Sequence, residues 1–265
     1  YDFLKTRQRV VRESSKNRKK TAQEIRLIEE KTKTFMDDFN KYDTFVENSK
    51  YLNNLRDRKV AINDSIENEI KPHIKVLEKH NFITRGEKFQ EYDLIQMGKM
   101  ASNINEIHCL AIADLLVNEK AFDDLDVSEL TSAMSVFCGL RLSDNNKIHN
   151  IDYVNTNNNV KNTVKKIKKI YDKYYDEETR YETNFMFNYT IQYDLIEMVH
   201  RWCKSEDEIE CQNIIKEMEQ WDIYIGSFTK AILKICNIAM DMENVCLIQN
   251  NLKLLKTLRE VSTKL

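Results

Sequence analysis

The sequence predicts an all-α protein: a long antiparallel helical hairpin followed by a compact multi-helix bundle, with at most a minor β-hairpin near residues 81–90. Three observations carry this expectation. Gly and Pro, which punctuate tight turns, number only 4 and 1 in 265 residues. Charged residues make up 32% and the hydrophobic set 42%. That balance suits helices with one wet face rather than a buried parallel sheet, whose strands need long apolar runs. Apolar residues also recur at spacings of three and four along most of the chain.

Between Thr21 and Tyr42, a heptad seam is formed by Ile25, Ile28, Thr32, Phe35, Phe39 and Tyr42. After Asn48 and Ser49 a second seam follows at Leu52, Leu55, Ile62, Ile66, Ile70, Ile74 and Leu77. The polar break between them predicts antiparallel arms over residues 1–80, long enough to project as a stalk. Pro72 should kink the second arm or begin a new helix.

Residues 81–265 read as the bundle. Asn81 to Ile83 and Lys88 to Gln90 flank Gly86 as a possible β-hairpin, and Gly98 marks a further turn. Asn103 with Glu106, and Asp126 with Glu129, have the spacing of capping boxes, and Gly139 is a natural stop for the second helix. Residues 143–160 are polar and Asn-rich and read as a mobile loop. A lysine-rich helix follows from about Val160 to Tyr175. Further helices are expected over Phe185–Cys203, after Ser205, after Gly226 and Ser227, and from about Glu243 to the end.

Formal net charge is −2, so overall charge selects no partner. Its distribution is uneven: residues 1–20 carry eight Lys/Arg, residues 161–169 carry five Lys, and Glu206 to Asp222 is acidic. Charge runs on helices are most often solvated faces, although basic ones can meet phosphate. The six Cys lack C-x-x-C spacing and have no His at zinc-finger distance. They read as reduced structural residues, which fits a soluble, intracellular protein. No run of about 18 apolar residues predicts a membrane span. The chain opens at Tyr1 within a helical pattern, as a piece of a longer protein would.

Catalytic signatures are missing. There is no G-x-x-x-x-G-K-[ST], no G-x-G-x-x-G and no H-E-x-x-H. His108 beside Cys109 could suggest a nucleophile pair, but helix neighbours do not face each other, so packing roles are favoured. Acidic pairs such as Asp37-Asp38 and Asp123-Asp124 read as caps and solvated faces. No catalytic residue, metal site or cofactor is therefore expected in this chain.

Three ordered segments carry a family resemblance. The first is Lys75 to Ile83 followed by Gly98-Lys99-Met100-Ala101. The second runs from Asn105 to Gly139, through Leu115-Leu116-Val117 and Phe122 to Leu125 and on to Phe137. The third is Val199-His200-Arg201-Trp202-Cys203 followed by Gly226-Ser227-Phe228-Thr229-Lys230. In this order, over about residues 70–265, the chain resembles the C-terminal helical (DSHCT) domain of exosome-associated DExH-box RNA helicases of the superkiller and mRNA-transport type.

The resemblance implies several things. Residues 1–80 would be a stalk or reduced arch, through which subunits of an RNA-decay complex could bind. A ratchet-type helix at about 226–242 would touch the single-stranded RNA leaving the motor core of the same polypeptide. ATP and Mg would belong to that core. Carried over position by position, Gly226 and Ser227 match the family, and Lys230 and Lys234 stand where it has Arg. Asn237 and Ile225 replace Glu. Spacing alone puts Lys230, Lys234 and Asn237 on one helical face. These five residues, Gly226, Ser227, Lys230, Lys234 and Asn237, are the candidate RNA-binding set. Lys offers a point charge without the planar fork of Arg. A non-enzymatic helical scaffold or protein-interaction module, built on the coiled-coil arm, is the alternative. An unrecognised helical enzyme has no residue constellation behind it.

Overall fold

A computed structural model describes residues 18–86, 91–140, 142, 146–183 and 187–265. The chain divides into two compact units, residues 1–68 and 69–265. The described residues form nine α-helices, α1 (Arg18–Lys79), α2 (Gln96–Ala101), α3 (Cys109–Val117), α4 (Val127–Met134), α5 (Asn158–Arg180), α6 (Ile196–Lys204), α7 (Glu208–Gln220), α8 (Ile225–Gln249) and α9 (Leu252–Lys264). Two short strands, β1 (Ile83–Arg85) and β2 (Tyr92–Leu94), and two 3₁₀ turns complete the fold. The all-α class expected from composition is what the structure shows.

The expected antiparallel hairpin is not formed. α1 runs for 62 residues straight through Asn48 and Ser49. Neither residue breaks a helix: each is less favourable than Ala by only about 0.5 kcal/mol, and strong helix formers flank both. The helix also continues through Pro72 rather than restarting there. In the first unit Leu52, Leu55 and Ile62 of the second seam are exposed. The side chains of Ile25, Ile28, Thr32, Phe35 and Phe39 lie outside the described set, whereas Tyr42 is exposed.

In the second unit β1 and β2 pair antiparallel, with Ile83 opposite Leu94 and Arg85 opposite Tyr92. The second strand is thus 92–94, while Lys88 to Gln90 lie outside the described residues. Gly98 sits inside α2 rather than in a turn. A Cβ there would come within 2.1 Å of the Phe82 carbonyl oxygen, so the glycine lets the helix press against the hairpin backbone.

α4 lies at the centre, with every residue from Ser128 to Met134 buried. The capping box expected from Asp126 and Glu129 is present: Asp126 Oδ1 accepts the Glu129 N–H at 2.8 Å, and Glu129 Oε2 accepts the Asp126 N–H at 3.0 Å. The other Glu129 oxygen accepts from the side-chain amides of Asn157 and Asn159. Asn157 in turn N-caps α5. One buried carboxyl therefore joins the starts of two helices. The Ser132 hydroxyl donates to the Ile196 carbonyl at 2.9 Å, fixing α6 against α4.

α5 buries Val160, Val164, Ile167, Tyr171 and Tyr174, a three-four pattern that faces the core. Its far end is held by Glu177, whose two carboxyl oxygens lie 2.7 and 2.6 Å from Lys79 Nζ. Lys173 and Tyr174 meet the buried Asp114 of α3, with Lys173 Nζ 2.8 Å from Asp114 Oδ2. Burial alone would raise the Asp114 carboxyl, but hydrogen bonds from Lys173 and Asn118 outweigh it and hold the group below its usual range.

Several boundaries differ from expectation. Asn103 does not cap a helix; its amide donates to the Lys99 carbonyl, and His108 caps α3 instead. The helix ending near Gly139 closes through a 3₁₀ turn at Ser135–Phe137. The Asn-rich stretch is partly structured: Ile151 and Val154 are buried around a 3₁₀ turn, which anchors it despite its polar composition, while residues 143–145 lie outside the described set. The helix expected over Phe185–Cys203 is confined to α6. Residues 187–193 are irregular instead, and residues 184–186 are outside the described set. α7 is capped by Asp207 rather than Ser205. α8 continues past Glu243 to Gln249, where Asn250 turns left-handed (φ 60°) before α9.

Three outcomes test these contacts. Gly98→Ala should lower stability by about 1–3 kcal/mol, because the new methyl meets backbone that cannot swing aside; a urea melt with an unchanged midpoint would refute the close contact. Glu129→Ala should cost about 2–3 kcal/mol by orphaning donors at two helix starts, read from the same melts. The folded-state pKa of Asp114 lies below the unfolded value of about 3.9. Its contribution is therefore full above about pH 4 and fades as pH falls through the lower folded value. Asp114→Asn should flatten the acid limb of a Tm-against-pH profile, and an unaltered limb would sink this assignment.

Candidate nucleic-acid interface

α8 follows a left-handed turn at Asp222 (φ 61°) and starts after Tyr224, which supplies no side-chain cap. The backbone closes the first turn instead, with the Ser227 N–H reaching the Tyr224 carbonyl at 2.8 Å. Phe228, Ala231, Ile235, Ile238, Ala239, Met242, Val245 and Cys246 are buried, and Phe228 meets Trp202 edge-on at 5.2 Å. That inner stripe leaves Lys230, Lys234 and Asn237 on the outer side, with Asp241 one turn further on.

The two halves of this outer face differ. Asp241 Oδ2 accepts the backbone N–H groups of Asn105 (2.7 Å) and Glu106 (3.1 Å). Asn237 donates to Glu106 Oε1 at 3.1 Å. The C-terminal half thus pins the loop before α3. In the N-terminal half, Lys230 and Lys234 make no ion pair among the described residues. With Ser227 they line a cleft of about 680 Å³. Gly226 is exposed and does not line it; a Cβ there would meet nothing within 4 Å, so neither packing nor backbone conformation demands glycine. The structure therefore brings Ser227, Lys230 and Lys234 together, commits Asn237 to Glu106, and leaves Gly226 exposed outside the cleft lining.

The opposite wall comes from Gly139, Leu140 and the extended segment Phe187 to Gln192. Gln192 stiffens it: its side chain accepts the Leu140 N–H at 2.6 Å and donates to the Leu140 carbonyl at 3.1 Å. Cys138 sits between the walls with its thiol pushed up to about 12 by burial, which makes it a packing group rather than a nucleophile. Glu106 and Asp222 also line the cleft. The two lysines are thus matched by two carboxylates, and the site is polar without being strongly basic.

Other expectations resolve locally. His108 Nδ1 accepts the Ala111 N–H at 3.2 Å, and its Nε2 lies 2.9 Å from Glu178 Oε1 and 2.6 Å from Tyr189 Oη. The ring is spent on capping and on a buried polar cluster. Burial raises the neighbouring Cys109 thiol, so the pair has no activated nucleophile. Among the described residues no group of three His, Cys, Asp or Glu could hold a metal, and no helix is long and apolar enough to cross a membrane. The wall at Phe187 to Gln192 is the part that sequence reasoning missed. Its signal was present: Phe187, Tyr189, Ile191 and Tyr193 alternate with polar residues, a period of two that marks extended chain.

A family profile, that of the DSHCT (NUC185) domain, matches residues 91–265. The chain belongs to this family, whose domain is found at the C-terminus of DExH-box helicases of the superkiller-like type. No curated protein matches the chain.

Proposed function

We propose that this chain is the C-terminal accessory, RNA-guiding region of an ATP-dependent DExH-box RNA helicase that unwinds RNA for decay, the ATPase core being supplied by another part of the parent polypeptide. Family membership supports the class. The observation that carries the role is the division of α8: its C-terminal half is fastened to the domain, and its N-terminal half presents along a cleft two lysines that form no ion pair among the described residues. Lys230 and Lys234 stand one turn apart, so they meet successive parts of a strand's backbone as point charges. The matching carboxylates keep this grip weak, which suits a strand that must be released at each step.

The test uses the protein together with its motor core. Lys230→Glu combined with Lys234→Glu should weaken single-stranded RNA binding by about tenfold or more at low salt and reduce RNA stimulation of ATP hydrolysis. The corresponding Gln variant should fall between. If affinity and stimulation both stay at the level of the unaltered protein, the guiding role of α8 is wrong.

A second reading has its own support. Leu233, Met240 and Leu247 are 59%, 57% and 54% exposed and repeat every seven residues beside the lysine face. In a non-enzymatic interaction module that stripe would be the working surface. The lysine variant separates the two readings, since it would leave such a module unaffected.

A further inference from the structure

A second cleft, of about 560 Å³, lies between α5 and the turn that follows α3. Its lining includes Lys120, Asp124, Asn162, Lys165, Lys166 and Lys169. Four lysines face a single carboxylate here, in contrast to the balanced lining beside α8. Asn162, Lys165, Lys166 and Lys169 fall at i, i+3, i+4 and i+7, so they share one face of α5. Lys165 and Lys169 are separated by one turn, a rise of about 6 Å.

The lysines are available. Lys120 and Lys169 make no ion pair among the described residues. Lys165 pairs with Asp152 at 2.7 Å, but both side chains are more than half exposed; Lys166 reaches only the Glu119 carbonyl, at 3.2 Å. Such solvent-exposed contacts are weak and give way to a stronger anion. Asp124 is itself engaged by Lys253 at 2.8 Å, which blunts its opposition.

Lys120 adds an independent observation. Its backbone is left-handed, with φ 43°, a conformation that is unfavourable for a non-glycine residue. The turn is held in place on either side of it: the Glu119 N–H bonds the Asp114 carbonyl at 3.3 Å, the Ala121 N–H bonds the Leu115 carbonyl at 3.0 Å, and the Ala121 carbonyl accepts the Thr163 hydroxyl of α5 at 3.0 Å. Glycine would sit there without strain, so what the lysine adds is a side chain aimed at the cleft.

We infer that this cleft binds the sugar–phosphate backbone of a nucleic-acid strand, without reading its sequence. The ligand class follows from what lines the cleft. Repeated point charges one turn apart match a repeating anion, and no aromatic side chain is present to stack or read bases. A folded acidic protein would also require exposed apolar anchors at the centre of the contact, and Ala121 and Leu125, the apolar residues here, are buried. The inference is independent of α8, and its test is kept separate from Lys230 and Lys234.

The experiment measures binding of a fluorescent oligouridylate of about 20 nucleotides to the full chain across a salt series. Lys165→Gln, Lys166→Gln and Lys169→Gln combined remove three exposed charges, and circular dichroism checks that the helices remain. The triple variant should bind about tenfold more weakly at low salt. The slope of log K against log salt should flatten by about 2, since each single-strand phosphate contact contributes about 0.7. The same loss should appear when Lys230→Gln and Lys234→Gln are already in place. Absence of binding by the unaltered chain, or an affinity and slope that the triple variant leaves unchanged, overturns the inference. So does displacement of the oligonucleotide by polyglutamate of matched charge at equal concentration, which would point to an acidic protein partner.

Discussion

The bundle depends on a buried carboxyl. Glu129 lies in the first turn of a helix that is enclosed on all sides, where an unpartnered oxygen would cost several kcal/mol. The structure meets that demand by turning one oxygen to the backbone of Asp126 and the other to Asn157 and Asn159. The need to satisfy Glu129 thus fixes where α5 begins relative to α4. The register of α5 then decides the rest: Tyr174 and Lys173 arrive at Asp114, Glu177 arrives at Lys79, and the lysine-rich outer face is turned away from the core.

α8 is placed by a similar requirement. Its buried stripe of Phe228, Ala231, Ile235 and Ile238 orients the outer face, and Asp241 fastens that face to the chain entering α3. What remains for a ligand is the first three turns. Their chemistry differs sharply from that of the α5 cleft. Beside α8 the lysines are balanced by Glu106 and Asp222, and the surroundings are polar and partly aromatic. Beside α5 the lysines dominate and aromatics are lacking. The two surfaces thus differ in kind, one balanced in charge and the other dominated by lysine.

The helical class and the main amphipathic helices were legible because three-four periodicity survives in any single sequence. The capping box at Asp126 and Glu129 was legible for the same reason, since its spacing is strictly local. The hairpin of residues 1–80 failed on a local argument too: Asn48 and Ser49 look like a break, yet neither residue has the steric means to stop a helix. The extended wall at Phe187 to Gln192 was overlooked because apolar residues at 187, 191 and 195 also satisfy a helical spacing; the aromatic at 189 and the apolar residues alternating through 193 were the better guide. Lys230 and Lys234 could be assigned to one face from spacing. Of their carboxylate neighbours, Asp222 lies in the acidic run just before α8, whereas Glu106 comes from a distant part of the chain and left no trace in the local pattern. The left-handed backbone at Lys120 could not be foreseen, because it is imposed by packing of the turn against Thr163.

Asp241 accepts two consecutive backbone N–H groups, at Asn105 and Glu106, while Asn237 holds the Glu106 side chain. α8 and the approach to α3 are thereby riveted at three points within one helical turn. A sliding of α8 along its axis would have to break all three of these bonds. That loop leads directly into His108, whose ring meets Glu178 and Tyr189. The C-terminal half of α8 is therefore tied to the chain entering α3, which makes the placement of its outer face depend on that loop.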